Sequence, residues 1–140
     1  MAFAFLDRIL ECDAGERVVA RKALSLNEEF FRDHFPGMPV LSGAMILEGF
    51  VQAARRCLAD LPGGHDRWTL QAVATMRFNR FASPGELLDL EATRDREEDG
   101  AIWFKGRASV DGEGVCRLKF ALRESPAEAW GPRSPRSAVD

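Results

Sequence analysis

The sequence predicts an α+β domain in which an antiparallel sheet wraps around one central helix. Only one segment reads as a helix, residues 42–61. Its apolar residues Met45, Ile46, Leu47, Phe50, Val51, Ala53, Ala54 and Leu58 occupy most of its circumference, and such a helix must be covered on most sides. Four later runs alternate apolar and polar residues, the signature of half-buried strands. These are Trp68, Leu70, Ala72, Ala74, Met76 and Phe78; then Leu88, Leu90 and Ala92; then Ile102, Phe104, Ala108 and Val110; then Cys116, Leu118, Phe120 and Leu122. Glu97-Glu98-Asp99-Gly100 and Asp111-Gly112 stand between the later runs, as hairpin turns that make their neighbours antiparallel. A curved sheet closed over the helix satisfies both patterns.

Taken in order, residues 3–11 read as a strand, Asp13-Ala14-Gly15-Glu16 as a turn, and residues 17–24 as a second strand with Val18, Ala20 and Leu24 on one face. Residues 25–40 are irregular, because Pro36, Gly37 and Pro39 forbid regular helix or central strand. Ser42 caps the helix, and Pro62-Gly63-Gly64 ends it. With the four later runs this makes about six strands. Residues 1–123 form the single domain, and residues 124–140, rich in Pro and Ser without periodicity, read as a mobile tail.

Composition excludes several function classes. The 140 residues suit one core. The net charge is −3, with neither the basic excess nor the aromatic interleaving of a nucleic-acid binder. The most apolar window, residues 44–54, is too short for a membrane span and contains Glu48 and Gln52. Residues 1–6 lack the basic start and apolar length of a secretory signal. Cys12, Cys57 and Cys116 are odd in number and widely spaced, so neither a disulfide framework nor a thiolate metal site is expected. A cytoplasmic, reduced protein without a metal is the expectation.

Few residues can carry chemistry. Of the two histidines, His65 follows Gly63-Gly64 in a turn, where a solvated loop residue is the ordinary role. His34 lies between Phe30-Phe31 and Phe35-Pro36-Gly37. Apolar neighbours disfavour the imidazolium and keep a general base neutral near neutral pH. Glu48 stands in the middle of the apolar helix, where an ionised carboxylate is costly without a partner and the proton-donating form is favoured. Gln52, one turn on, is placed to hydrogen-bond Glu48 and fix its rotamer. At the helix start, Ser42-Gly43-Ala44 offers unpaired backbone N–H groups, and Gly43 lets a ligand approach the backbone closely. Such a terminus stabilises developing enolate charge. A base, an acid and an oxyanion donor thus fall within fifteen residues, which suits proton abstraction beside a carbonyl with loss of a neighbouring hydroxyl.

Those same residues carry a resemblance. The stretch Asn27-Glu28-Glu29-Phe30-Phe31-Arg32-Asp33-His34-Phe35-Pro36-Gly37-Met38-Pro39-Val40, followed by Ser42-Gly43 and Leu47-Glu48-Gly49-Phe50-Val51-Gln52-Ala53, resembles the 3-hydroxyacyl-[acyl-carrier-protein] dehydratases of fatty-acid synthesis. The likeness extends back through Phe5-Leu6-Asp7-Arg8 and forward through Arg77-Phe78-Asn79-Arg80-Phe81, Pro84-Gly85-Glu86 and Val110-Asp111-Gly112. It implies the hot-dog fold and a hydro-lyase without metal or organic cofactor. His34 would take the α-proton of a 3-hydroxyacyl thioester, Glu48 would assist departure of the hydroxyl as water, and the Gly43 amide would hold the thioester oxygen. Phe35, Gly37, Gln52 and Phe78 would line the substrate pocket.

The resemblance also implies partners. The pocket would form across a dimer interface, with His34 from one subunit and Glu48 from the other, in a homodimer, a higher even oligomer or a heterodimer with a related hot-dog chain. Substrate would arrive on the phosphopantetheine arm of an acyl carrier protein. Arg55, Arg56, Arg77, Arg80 and Arg94 are the docking candidates, although solvated arginines are ordinary on any surface. Ser42 replaces the family's usual Pro, and the chain has no Tyr, so a modified acyl tunnel and a role in polyketide or polyene assembly stand beside fatty-acid synthesis. A hot-dog acyl thioesterase and a non-catalytic or half-site subunit are the alternative functions.

Overall fold

The computed structural model describes residues 5–25, 41–59 and 68–125. Within them lie β1 (Arg8–Asp13), β2 (Arg17–Ala23), α1 (Gly43–Ala59), β3 (Trp68–Phe78), β4 (Leu87–Glu98), β5 (Ala101–Val110) and β6 (Glu113–Glu124). These described strands form one six-stranded antiparallel sheet in the order β1-β2-β4-β5-β6-β3. The expected hairpin at residues 13–16 joins β1 to β2, which then pairs with β4. Two-residue turns join β4 to β5 and β5 to β6. Asp99 and Gly100 have φ of 53° and 81°, and Asp111 and Gly112 have 50° and 81°. Positive φ at both central residues is the type I′ geometry that matches strand twist, and Asp-Gly tolerates it best.

The inward faces are those the alternation predicts. Val18, Ala20 and Leu24 of the β2 segment, Leu88, Leu90 and Ala92 of β4, Ile102, Phe104, Ala108 and Val110 of β5, and Cys116, Leu118, Phe120 and Leu122 of β6 are all buried. Against them lies α1, burying Ile46, Gly49, Phe50, Val51, Ala53, Ala54, Cys57 and Leu58. Phe104 stacks on Phe120 with centroids 5.6 Å apart, and Phe50 tilts onto Phe120 at 6.0 Å. The three cysteines are free thiols, and burial pushes that of Cys116 up to about 11.

Gly106 lets the helix come this close. A Cβ there would lie 2.7 Å from Leu118 Cδ2 and 2.8 Å from Phe50 Cε1. Neither side chain has room to give, since Phe50 is fully buried and Leu118 is 3% exposed. Gly106→Ala should therefore destabilise the fold by about 1–3 kcal/mol, the cost of overpacking a filled core. The measurement is the midpoint of urea unfolding, and an unchanged midpoint would show that the core yields.

Two expectations need correction. The first strand begins at Arg8, not at residue 3, and residues 5–7 lead into it without ladder pairing. The alternation expected along β3 is interrupted. Its pairing with β6 slips between Leu70 and Ala72 and again between Val73 and Thr75. Each slip shifts the side-chain face, so Leu70, Met76 and Phe78 share the face of the buried Leu122, Leu118 and Cys116, while between the slips Val73, opposite Phe120, takes the inward place and Ala72, opposite Ala121, does not. Leu70, Val73 and Phe78 are still more than a third exposed, because β3 is an edge strand of the sheet. As expected, α1 is covered on most sides; one stripe stays open, with Ala44, Arg56 and Ala59 exposed and Glu48 and Gln52 half-buried beside them. Residues 126–140, the core of the expected tail, lie outside the described residues, as do residues 60–67 with His65.

Candidate active site

Ser42 starts the helix as expected. Its Oγ accepts the Met45 N–H at 3.3 Å, and its carbonyl accepts the Ile46 N–H at 3.2 Å. This is an N-cap, and it leaves the first amides of the helix without intrahelical acceptors. The segment before it is fixed by the Leu41 N–H, which donates to the Ala82 carbonyl at 2.8 Å. That bond brings the helix start to the end of β3. There the tip of the Phe78 ring lies 2.8 Å from where a Gly43 Cβ would sit, so a residue with a side chain would collide with the ring. Phe78 is 47% exposed, and it stands over Gly43 as a partly open apolar wall.

Gln52 bonds Glu48 in the way the helical spacing predicts. Its Nε2 donates to Glu48 Oε2 at 2.8 Å, and its Oε1 accepts the Phe5 N–H at 2.9 Å. Glu48 is half-buried rather than buried, because it sits where the enclosed face of α1 meets the open stripe. One carboxylate oxygen is thus held from inside the protein. Glu48 lies five residues, about 7.5 Å of helix rise, beyond Gly43. His34, Phe35 and Gly37 lie outside the described residues. Two participants were not anticipated. Phe5 supplies the backbone donor to Gln52, and Lys22, 7% exposed, stands beside it with its Nζ 5.6 Å from the Phe5 ring centroid. The alternation of β2 carries the signal for Lys22, since it shares a face with Val18 and Ala20.

Most of the docking arginines have internal work. Arg55 Nε donates to the Trp68 carbonyl at 2.6 Å, and Arg94 pairs with Glu97 at 3.0 Å. Arg80 bridges Glu86 and, at 3.1 Å, Glu113. Glu86 also accepts the Ser83 N–H at 2.8 Å. Burial alone would raise the Glu86 carboxyl, but the bonds from Arg80 and Ser83 and the Arg80 charge outweigh it and hold it below its ordinary value. Because its folded value is depressed, its contribution is present above 4.5 and lost as pH falls through the folded value. Wild type should therefore lose stability relative to Glu86→Gln in that acid range, and parallel curves of stability against pH would refute this.

Arg77 differs. It lies opposite Arg117, which lies opposite Arg107, and in the next row of that outer face Lys105 lies opposite Lys119. Like charges directly opposed across strands are unfavourable. Lys105 reaches Asp95 at 3.8 Å, whereas on the other half of the sheet Arg17 pairs with Glu11 and Glu91, each at 2.7 Å, and Arg21 with Asp89 at 2.7 Å.

A long antiparallel sheet curled about one helix, with the acid and the helix start on the helix's open side, is the hot-dog architecture. Solved structures share it. The dehydratase heterocomplex ApeI:P from Xenorhabdus doucetiae matches with a TM-score of 0.63 at 24% identity, over 79% of this chain and 90% of that one. A hypothetical thioesterase protein with coenzyme A from Streptococcus pneumoniae TIGR4 matches with 0.65 at 9% identity, over 84% of each chain. At these identities the likeness concerns fold alone.

Sequence comparison is more specific. The FabA-like domain model matches residues 1–119. The 3-hydroxyacyl-[acyl-carrier-protein] dehydratase FabZ of Variovorax paradoxus is 37% identical over 128 residues, covering 87% of this chain and 85% of the relative. That of Anaeromyxobacter sp. (strain K) is 40% identical over 124 residues, covering 84% and 78%. The chain belongs to the FabA-like family and, within it, to the 3-hydroxyacyl-[acyl-carrier-protein] dehydratases.

Proposed function

We propose that the protein removes water from a 3-hydroxyacyl thioester carried by an acyl carrier protein, giving the trans-2-enoyl thioester. The observation that carries this is Glu48, tethered through one oxygen by Gln52 and set on the helix that opens with Gly43, in a chain that aligns with FabZ dehydratases over most of its length. The His34 imidazole takes the α-proton. Charge that moves onto the thioester oxygen meets the Gly43 N–H and the positive end of α1. Glu48 delivers a proton to the β-hydroxyl, the carbon–oxygen bond breaks, and water leaves as the double bond forms. Phe35, Gly37 and Phe78 line the pocket.

The working unit is a dimer or a multiple of it. β3 is an edge strand of 11 residues, with Leu70, Val73 and Phe78 each more than a third exposed. Edges this long and apolar are covered in soluble proteins. Among the described residues no helix is long and apolar enough to cross a membrane, and three free thiols suit a reducing cytoplasm. The test is to incubate the pure protein with 3-hydroxyacyl carrier proteins of several chain lengths and read intact masses. Loss of one water supports dehydration, loss of the whole acyl group identifies a thioesterase, and no change identifies a non-catalytic subunit.

The opposed cations of β3, β5 and β6 fit an acidic carrier protein by charge. Arg117→Glu should lower kcat/KM for the carrier-bound substrate by about tenfold at low salt, with little effect on a free pantetheine thioester. Equal effects on both substrates would remove this face from the docking site.

A further inference from the structure

Lys22 places a cation on the inward face of β2. β2 turns Val18 and Ala20 inward, both fully buried, and Lys22 shares their face. A buried cation is costly unless paired. Its Nζ lies 3.3 Å from Asp7 Oδ1. Asp7 is anchored to β2 twice more: its N–H donates to the Arg21 carbonyl at 3.0 Å, and its Oδ2 accepts the Ala23 N–H at 2.6 Å. The short lead-in at residues 5–7 is thereby clamped to β2. The Phe5 ring fills the space that Gly49 leaves open, with Cδ2 2.9 Å from where a Cβ would be, and its N–H meets Gln52 on α1.

That last bond decides the orientation of Gln52. A backbone N–H can only donate, so the amide must turn its oxygen to Phe5 and its NH2 group to Glu48. Glu48 Oε2 then accepts from Gln52. The hydroxyl oxygen of a carboxylic acid is the poorer acceptor, so when Glu48 is protonated its proton belongs on Oε1. The oxygen left to carry the proton is thus set from outside the helix.

We propose that Lys22 and Asp7 are positioning residues for Glu48, acting through the Phe5 backbone and the Gln52 side chain. The kinetic consequence rests on the dehydratase reading, whereas the clamp itself is tested without it. Lys22→Met keeps length and removes charge, and Lys22→Arg restores the charge. Two measurements are made on the full chain: kcat and KM for a 3-hydroxyacyl thioester, and the Gln52 side-chain amide signals by NMR, assigned from their loss in Gln52→Ala.

Lys22→Met should lower kcat about tenfold or more, as misplacing a catalytic group does, with KM within about twofold. It should also shift the Gln52 amide signals, and Lys22→Arg should recover part of both. In a Gln52→Ala background it should add nothing, because the route to Glu48 is already cut. Should Lys22→Met not fold, Asp7→Asn carries the same expectations. Unmoved Gln52 signals, or a kcat effect that multiplies with that of Gln52→Ala, would overturn the proposal. Shifted Gln52 signals in a protein whose wild type dehydrates no thioester would refute the functional reading and leave the clamp standing.

Discussion

Glu48→Gln lowers dehydration by about two to four orders of magnitude, the range for loss of general acid–base assistance. The substitution keeps the shape of the side chain, and its amide oxygen can still accept from Gln52 Nε2, which now donates to Glu48 Oε2 at 2.8 Å. What is lost is the proton on the other oxygen, since an amide cannot release one to a departing hydroxyl. Folding should survive. Glu48 is half-buried at the margin of the helix face, and a neutral group that keeps its hydrogen bond changes stability by only about 0.5 kcal/mol. The measurement pairs kcat with a urea midpoint. Activity near wild type in a folded variant would make Glu48 a structural polar residue and remove the acid from the mechanism.

A second large effect appears on mixing inactive proteins. If His34 of one subunit works with Glu48 of the other, His34→Ala and Glu48→Gln should each be nearly dead alone. In a heterodimer of the two, one site joins an intact His34 to an intact Glu48, and the other holds both lesions. Equal amounts of freely exchanging subunits are half heterodimer, so site density should recover to about a quarter of wild type. Isotopically labelled chains show by native mass whether exchange has occurred. Exchange without recovered activity would refute the shared site, because residues from one chain would give the heterodimer two broken sites. Recovery would also establish that the unit is at least a dimer.

How far the sequence was legible depended on what enforced each pattern. Along β4, β5 and β6 the alternation was read correctly, because central strands are held on both sides and one face packs on α1. Along β3 the same alternation holds at Leu70, Met76 and Phe78, which share the face of Leu122, Leu118 and Cys116, and misleads at Ala72 and Ala74, where two register slips fall that no periodicity announces. The Glu48–Gln52 pair was legible because helical spacing alone brings those residues together. Its further partner was not, since Phe5 is 47 positions away from Gln52 and reaches it by backbone rather than by any readable side chain. Lys22 was legible in principle, as a cation in phase with Val18 and Ala20. Alternation marks such a residue as anomalous but does not say what neutralises it.

The strand order has a consequence for how this chain is made. β3 follows α1 in the chain, yet among the described residues its only partner in the sheet is β6, the last of the described strands. The β4-β5-β6 meander is local and can close hairpin by hairpin. β3 must wait for all of it, so ordering the sheet requires a non-local pairing late in synthesis. Until then a nascent chain carries an unpaired strand with exposed Leu70, Val73 and Phe78 next to a helix whose apolar face is incompletely covered. Such intermediates are prone to aggregate. A chain ending before β6 should therefore aggregate more readily than the full chain, because β3 then lacks the strand it pairs with.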